Sequence, residues 1–225
     1  DVLASLEGIG HITLSANMAD AKAVERMWEE AISAFGRVDI VINCAGICTN
    51  HPALSTSYES WQAEWDSIMA TNLHGPANLC HLAANSMTST VPLESSPSPS
   101  SSSASAFGRG RIVNVSSRGA FRGEPSAPAY GASKAGLNSM SQSLALALAP
   151  KAVYVYVVAP GWVETEMARE ALSGPGAAAV LAQHPLGRVA TPEEVAQTCV
   201  FCALDAPAAM TGCVIDINGA SYLRT

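Results

Sequence analysis

The chain has 225 residues, of which 48% are hydrophobic and only 14% charged, and its formal net charge is −7. This length and composition fit one large α/β domain with a sizeable buried core and argue against a second domain. The acidic balance argues against a nucleic-acid or anionic-membrane partner, and no run approaches the ~18 apolar residues of a membrane-spanning helix.

Short β-like segments alternate with longer helical patterns, which predicts a doubly wound parallel sheet of the Rossmann type. The first strand is predicted at 11–15. A helix over Ala21–Phe35 follows, with its apolar residues on one face and Gly36 closing it. The second strand is predicted at 38–43, and one long helix at 58–87 then follows, with a kink near Gly75 and Pro76.

The segment 88–106 breaks this alternation because it is mostly Ser and Pro. Such a composition cannot bury enough apolar surface to offset the entropy of ordering, so we expect a disordered surface insertion. The pattern resumes with strands at 111–116 and 152–158 on either side of a helix over Pro128–Leu148. A helix at 192–204, begun by Thr191 and Pro192, and a strand at 213–217 complete the order.

Six cysteines in a chain of this size do not indicate a disulfide scaffold, and the first residues do not resemble a secretory signal. We therefore expect a reducing compartment, cytoplasmic or inside an organelle, and no secretion. Cys199 and Cys202 form a Cys-x-x-Cys motif, but both fit the apolar pattern of a helix and no second pair stands at zinc-finger spacing. Buried core thiols are favoured over a metal or redox site, and no metal site is expected.

Tyr130 and Lys134 stand four residues apart in the predicted helix Pro128–Leu148, so both side chains project from one face. A phenol with a pKa of about 10 exchanges protons poorly at neutral pH, but an adjacent ammonium lowers that pKa. The pair is therefore a candidate general acid/base. Alone it is weak evidence, because two surface residues at this spacing are the simpler interpretation.

Ser117 follows the predicted strand 111–116, and ligands bind at the carboxyl ends of strands in open α/β sheets. A hydroxyl at that place can hold a substrate oxygen beside the phenol of Tyr130. By itself such a serine is more commonly a turn or cap residue, so the assignment depends on its position thirteen residues before Tyr130.

With these motifs the sequence resembles the short-chain dehydrogenase/reductase family over essentially the whole chain apart from 88–106. Cys44 replaces the second Asn of that family's Asn-Asn-Ala-Gly turn, a substitution that bears on a structural hydrogen bond rather than on the chemistry. The pattern is closest to that of 3-oxoacyl-carrier-protein reductases. The matching segments follow in the family's order: Asn43-Cys44-Ala45-Gly46, Thr71-Asn72-Leu73, Val115-Ser116-Ser117, Tyr130 to Lys134, Pro160-Gly161-Trp162-Val163-Glu164-Thr165, Gly187-Arg188, Pro192-Glu193-Glu194-Val195, and Thr211-Gly212 to Asn218-Gly219.

The resemblance implies an NADP- or NAD-dependent oxidoreductase that passes a hydride between nicotinamide and a carbonyl or alcohol carbon of a small molecule, with a 3-oxoacyl thioester favoured. It implies that Tyr130 exchanges the proton and that Lys134 lowers the tyrosine pKa and bonds the nicotinamide ribose. By the same resemblance Ser117 steadies the substrate oxygen and Asn72 holds a relay water. The residues implied to contact the cofactor are Asn17, Met18, Asn43, Ala45, Gly46, Tyr130, Lys134, Pro160, Gly161, Val163 and Thr165.

The family's phosphate cradle is a glycine-rich turn between its first strand and first helix, and no such turn appears in this sequence. Gly8 and Gly10 precede the predicted strand 11–15 and are interpreted as loop glycines. We therefore expect a single domain over 1–225 that begins just after the family's second strand, lacks its first two strands and binds a dinucleotide poorly. The residues that choose between NAD and NADP end the second strand, so this choice stays open.

The segment 166–185 is expected to form a mobile, largely apolar lid over the substrate. Arg169 and Arg188 are candidates for contact with an anionic carrier or phosphate, although solvated surface arginines are more common. The resemblance implies a homo-oligomer, a tetramer or a dimer, formed through the helices 58–87 and Pro128–Leu148 and the C-terminal strand. The competing hypothesis is a catalytically inactive fragment or interaction protein that keeps these residues by descent.

Overall fold

Four parallel strands form one sheet in the computed structural model, which describes residues 6–89 and 107–224. The sheet order follows the chain, and the strands are β1 (Ile40–Asn43), β2 (Gly110–Val115), β3 (Val153–Pro160) and β4 (Val214–Ile217). Asn43 pairs with Asn114, and Pro160 pairs with Ile217, so the carboxyl ends of the strands meet at one edge. The predicted Rossmann-type α/β fold is confirmed.

Helices cover both faces of this sheet. The helix predicted over Ala21–Phe35 is confirmed: the Asp20 carboxylate accepts a hydrogen bond from the Lys22 N–H at its start, and Gly36 ends it at a φ of 75°. The helix predicted over Pro128–Leu148 is confirmed as well. The helices are α1 (Ala21–Phe35), α2 (Tyr58–Met69), α3 (Gly75–Ser89), α4 (Pro128–Leu148), α5 (Arg169–Ser173), α6 (Ala177–Leu181) and α7 (Pro192–Val200).

The predicted helix 58–87 is divided into α2 and α3 by a π-helical turn, Ala70–His74. Pro76 lacks an N–H and so weakens the regular ladder just beyond this turn. A Cβ on Gly75 would lie 2.5 Å from the Met18 carbonyl oxygen, so only glycine fits there. The distortion therefore begins before the predicted kink. It lies in the turn that carries Asn72, as is frequent where a helix bears a functional residue.

One predicted strand does not form, and one predicted boundary is wrong. Residues 11–15 form no strand in the described part of the chain, where β1 is the edge strand of the sheet. A strand needs a neighbour to receive its hydrogen bonds, and an apolar alternation does not supply one. Thr88 and Ser89, assigned to the Ser/Pro insertion, end α3, where the Thr88 hydroxyl donates to the Ala84 carbonyl. The remainder of the predicted insertion, 90–106, lies outside the described residues.

The core consists of two apolar clusters, one on each face of the sheet. Neighbouring residues of β2 point to opposite faces: Ile112 packs with α1, α3 and α4, whereas Val113 packs with α7 and the π-helical turn that follows it. Cys199 and Cys202 belong to the second cluster, and burial raises their pKa values to about 11 and about 12. Both are thus buried core thiols. Among the described residues, no helix is both long and apolar enough to cross a membrane.

Candidate active site

The carboxyl end of β2 places the serine motif. Ser117 follows this strand in an extended conformation and is 9% exposed. Its Oγ accepts a hydrogen bond from the Gly119 N–H at 3.0 Å and so caps the short 3₁₀ turn Arg118–Ala120. The hydroxyl is therefore held at the edge of the sheet where the strands end.

The next helix, α4, brings Tyr130 and Lys134 to the same edge. The Lys134 ammonium is buried and donates to the Val115 carbonyl at 2.8 Å, which ties α4 to the end of β2. Its Nζ lies 5.9 Å from the centroid of the Tyr130 ring. The structure thus brings together the phenol, the ammonium and the serine that the sequence singled out.

The pKa values of this group are set mainly by burial. Burial raises the pKa of Tyr130 to about 12, and a hydrogen bond from the Ser117 side chain opposes this only partly. Burial lowers the pKa of Lys134 to about 8. Lys134 is not among the causes of this shift, so its expected lowering of the tyrosine pKa stays a prediction. The ammonium is turned toward the Val115 carbonyl, and the loss of water around the phenol dominates.

His51 is a residue that the sequence analysis missed. Its ring is fully buried, and Nδ1 lies 2.9 Å from the Thr49 carbonyl, which can only accept a hydrogen bond. Nε2 is then free to accept from the backbone N–H of Ala129 at 3.1 Å. His51 therefore satisfies one of the free N–H groups in the first turn of α4, directly before Tyr130. A lone histidine in a predicted loop gave no signal of this contact.

Asn72 holds the loop that follows β1. Its side chain accepts from the Ile47 N–H at 2.8 Å and donates to the Ile47 carbonyl at 2.9 Å and to the Ser133 hydroxyl at 3.2 Å. A Cβ on Gly46 would lie 3.4 Å from Lys134 Nζ and 3.5 Å from Asn72 Oδ1. The Asn72 side chain thus places Gly46 against Lys134, and the expected role of Asn72 in holding a relay water stays a prediction.

Asn43 is part of a buried polar network beneath the site. Its amide donates to Asn114 Oδ1 at 2.8 Å, and the Asn114 amide donates in turn to the Ser141 hydroxyl at 2.8 Å. The network links β1, β2 and α4. Asn43 is thus held in the network at the end of β1, and its expected contact with the cofactor stays a prediction. Ala45 and Gly46 lie beyond the strand end.

The segment after β3 is anchored on both sides. The Gly161 N–H donates to the Ile217 carbonyl at 2.9 Å, and Val163 forms a parallel bridge with Ala190. Thr165 is exposed, and its hydroxyl lies 3.4 Å from the Val163 carbonyl. Pro160 ends β3, the strand that pairs with β2. Gly161, Val163 and Thr165 follow it, at the same edge of the sheet as Ser117.

Asn17 and Met18 lie before α1. The Asn17 side chain is exposed and accepts from the Ala19 N–H at 3.0 Å, which makes a local turn. The backbone of Met18 packs against Gly75 at the start of α3. The structure therefore places this pair beside the α2–α3 junction, and its contact with adenine stays a prediction.

Three arginines bear on the question of an anion site: Arg169 and Arg188, which the sequence analysis named, and Arg118, which it did not. Arg169 and Arg188 form ion pairs with Glu166 and Glu194, so their charges are already matched. Arg118, directly after Ser117, is buried instead. It was missed because its partners are distant in the sequence.

The comparisons with known proteins agree with this geometry. A family model described as Enoyl-(Acyl carrier protein) reductase matches residues 2–220. The 3-oxoacyl-[acyl-carrier-protein] reductase FabG of Escherichia coli (strain K12) is 33% identical over 210 residues, covering 93% of this chain and 77% of that protein. The protein of the same name from Staphylococcus aureus (strain Mu50 / ATCC 700699) is 31% identical over 217 residues, covering 96% of this chain and 79% of its own length.

Among solved structures, a putative gluconate dehydrogenase from Agrobacterium tumefaciens aligns with a TM-score of 0.79 and 22% identity. The alignment covers 94% of this chain and 76% of that one. At this identity the likeness shows the fold alone.

Proposed function

Because the chain belongs to the short-chain dehydrogenase/reductase family, a family of oxidoreductases, we propose that it transfers a hydride between a nicotinamide dinucleotide and a carbonyl or alcohol carbon. The observation that carries the proposal is the convergence of Tyr130, Ser117 and Lys134 at the carboxyl edge of the sheet. Ligands bind at this edge in open α/β folds.

Tyr130 supplies the proton in the proposed reaction. With a pKa raised to about 12, its phenol holds the proton at neutral pH, and the nearby Lys134 ammonium would stabilise the phenolate that forms as this proton passes to a substrate oxygen. The Ser117 hydroxyl interacts with the same phenol, so the two groups can hold one oxygen between them. Reduction of a carbonyl consumes this proton, and oxidation of an alcohol returns it to the phenol.

Lys134 contributes hydrogen-bond donors and a positive charge to the site. One of its three N–H donors is used on the Val115 carbonyl, and the remaining two are available to hydroxyl groups. At neutral pH the ammonium stays charged, because its pKa is lowered only to about 8. It therefore provides a positive charge next to the oxygen that Tyr130 protonates.

The nicotinamide end of a dinucleotide fits these residues. A Cβ on Gly46 would lie 3.4 Å from Lys134 Nζ. Because glycine has no Cβ, this position leaves room for a ligand to approach the lysine. Lys134 and Tyr130 would hold the ribose, and the backbone and Thr165 of the segment after β3 would hold the carboxamide. The bound nicotinamide, from NADP or NAD, supplies the hydride in reduction and accepts it in oxidation.

The proposed substrate is a 3-oxoacyl thioester, which the names of the FabG relatives support. The test is turnover of a short 3-oxoacyl thioester with NADPH or NADH, followed by the loss of reduced-nicotinamide absorbance. A secondary alcohol and a sugar, each with the oxidised cofactor, serve as comparison substrates. Turnover of the thioester supports the proposal, whereas turnover of none of the three compounds with either cofactor contradicts it.

We also propose a homo-oligomer, a dimer or a tetramer, in a reducing compartment. Tyr58 on α2 and Leu146 on α4 are large apolar side chains that are 76% and 81% exposed, which favours burial against a second copy. Ala145, in contrast, is 3% exposed and packs in the chain's own core. A monomer mass in light scattering would contradict the assembly.

A further inference from the structure

Two arginines of the β2–α4 loop converge on one neutral oxygen. Arg118, only 5% exposed, donates to the Ser221 hydroxyl at 2.6 Å and to Gln183 Oε1 at 3.2 Å. Arg122 donates to the same Gln183 oxygen at 3.1 Å. We call these three residues, Arg118, Arg122 and Gln183, the arginine cluster.

The cluster has an unmatched positive charge. Within 6–89 and 107–224, neither of its arginines forms an ion pair, although other arginines of this part of the chain do. Burial lowers the pKa of Arg118, the charge of Arg122 lowers it further, and Glu124 opposes both effects without coming within ion-pair distance of either arginine. A buried charge is unfavourable unless an opposite charge compensates it. The Gln183 amide is neutral and does not offset the positive charge of the two arginines, whereas a bound anion would.

The position of the cluster relates it to the substrate. Arg118 directly follows Ser117, and adjacent Cα atoms are about 3.8 Å apart. Gln183 lies just after α6, in the segment 166–185 that the sequence analysis expects to cover the substrate. Ser221, the other partner of Arg118, has its hydroxyl 3.3 Å from the place of a Cβ on Gly161. The cluster is thus bounded by the loop after Ser117, by the end of the segment 166–185 and by the segment after β3.

We propose that Arg118 and Arg122 bind an oxyanion, a carboxylate or a phosphate, carried by the substrate of the reaction. A guanidinium has planar N–H donors that match two oxygens of such a group. The anion takes the acceptor position that Gln183 Oε1 now fills and removes the repulsion between the two cations. This inference rests on the proposed oxidoreductase function and narrows its substrate to an oxo or hydroxy compound with an acidic group, either a 3-oxo acid or a 3-oxoacyl thioester whose carrier bears a phosphate.

A binding measurement on the full chain tests the site without turnover. Inorganic phosphate and acetoacetate are titrated separately, and the unfolding temperature is followed. At least one of them should raise it in a saturable way in the wild type, since a ligand that binds only the folded state stabilises it. Which of the two acts distinguishes a phosphate from a carboxylate site.

Arg122→Gln is the test variant, because Arg122 is only partly buried and the change keeps most of the side-chain volume. We expect at least tenfold weaker binding of the active anion. Arg26→Gln, on the exposed face of α1, is the matched control and should bind as the wild type does. Equal binding by both variants, or no saturable shift with either anion in the wild type, would overturn the site.

A second measurement separates this inference from the proposed function. Acetoacetate and its methyl ester present the same ketone with and without a charge, and the ratio of their kcat/KM values reports the contribution of the anion. We expect Arg122→Gln to reduce the acid-to-ester ratio at least tenfold and Arg26→Gln to leave it unchanged. An unchanged ratio in Arg122→Gln overturns the anion site alone, while absence of turnover for both compounds counts against the proposed function and leaves the decision to the binding measurement.

Discussion

His51 Nε2 accepts a hydrogen bond from the backbone N–H of Ala129 at 3.1 Å, one residue before Tyr130. The other ring nitrogen, Nδ1, is hydrogen-bonded to the Thr49 carbonyl. The backbone N–H of His51 donates to the Ser126 carbonyl at 2.7 Å. The ring therefore joins the loop after β1 to the start of α4. Through this contact the position of the Tyr130 phenol depends on a side chain that is distant in sequence.

Replacing this side chain should weaken both the fold and the reaction. His51→Phe keeps a ring in the buried space but leaves the Ala129 N–H without an acceptor, which costs about 1–3 kcal/mol. We expect urea unfolding to show a loss of this size and kcat to fall more than KM changes. His51→Gln, which keeps an acceptor oxygen, should recover part of both losses. Equal stability and kcat in all three proteins would contradict the role of the ring.

The sequence predicts those parts of this site that depend on local rules. Gly36 marks the end of α1, and Thr191 and Pro192 mark the start of α7, because caps act within a few residues of a helix end. The spacing of Tyr130 and Lys134 is likewise a property of one helix.

Long-range contacts were not predicted. The contact of His51 with Ala129 spans 78 residues and that of Arg118 with Gln183 spans 65, so no periodicity reveals them. The strand expected at 11–15 failed for the same reason, because its existence depends on a neighbouring strand.

Tyr130→Phe removes the proton donor and keeps the ring. We expect kcat to fall by about 10²–10⁴-fold, the usual contribution of a positioned acid or base. Cofactor affinity, measured by nicotinamide fluorescence, should stay nearly unchanged, since Lys134 keeps its place on the Val115 carbonyl. Retained turnover in this variant would exclude the phenol from the reaction.

Lys134 should make stability depend on pH in a defined window. Burial lowers the pKa of its ammonium to about 8, whereas an unfolded lysine titrates near about 10.4. Between these values the unfolded chain holds a proton that the folded chain has released, so the contribution of Lys134 to the free energy of unfolding rises with pH. Lys134→Met has no such group and should not show this rise.

The comparison is the difference in unfolding free energy between wild type and Lys134→Met, measured by urea unfolding at pH 7, 8, 9 and 10. Buried thiols such as Cys80, with a pKa raised to about 11, act in the opposite direction above about pH 8.5, but they are common to both proteins. We expect the difference to shift in favour of the wild type by about 1–2 kcal/mol between pH 8 and 10. A difference that does not change over this range would show that the lysine is not desolvated.

Gly75→Ala tests the packing of Met18 against the α2–α3 junction. The added Cβ would stand 2.5 Å from the Met18 carbonyl oxygen, closer than real Cβ atoms come, so the segment before α1 or the start of α3 must move. We expect a loss of about 1–3 kcal/mol in the free energy of unfolding, the usual range for overpacking. Gly123→Ala is the matched control, because a Cβ there meets no atom within 4 Å and the backbone does not require glycine. Equal unfolding free energies for the two variants would mean that residues 17 and 18 do not pack on α3, and the placement of Asn17 and Met18 beside the π-helical turn that carries Asn72 would then be wrong.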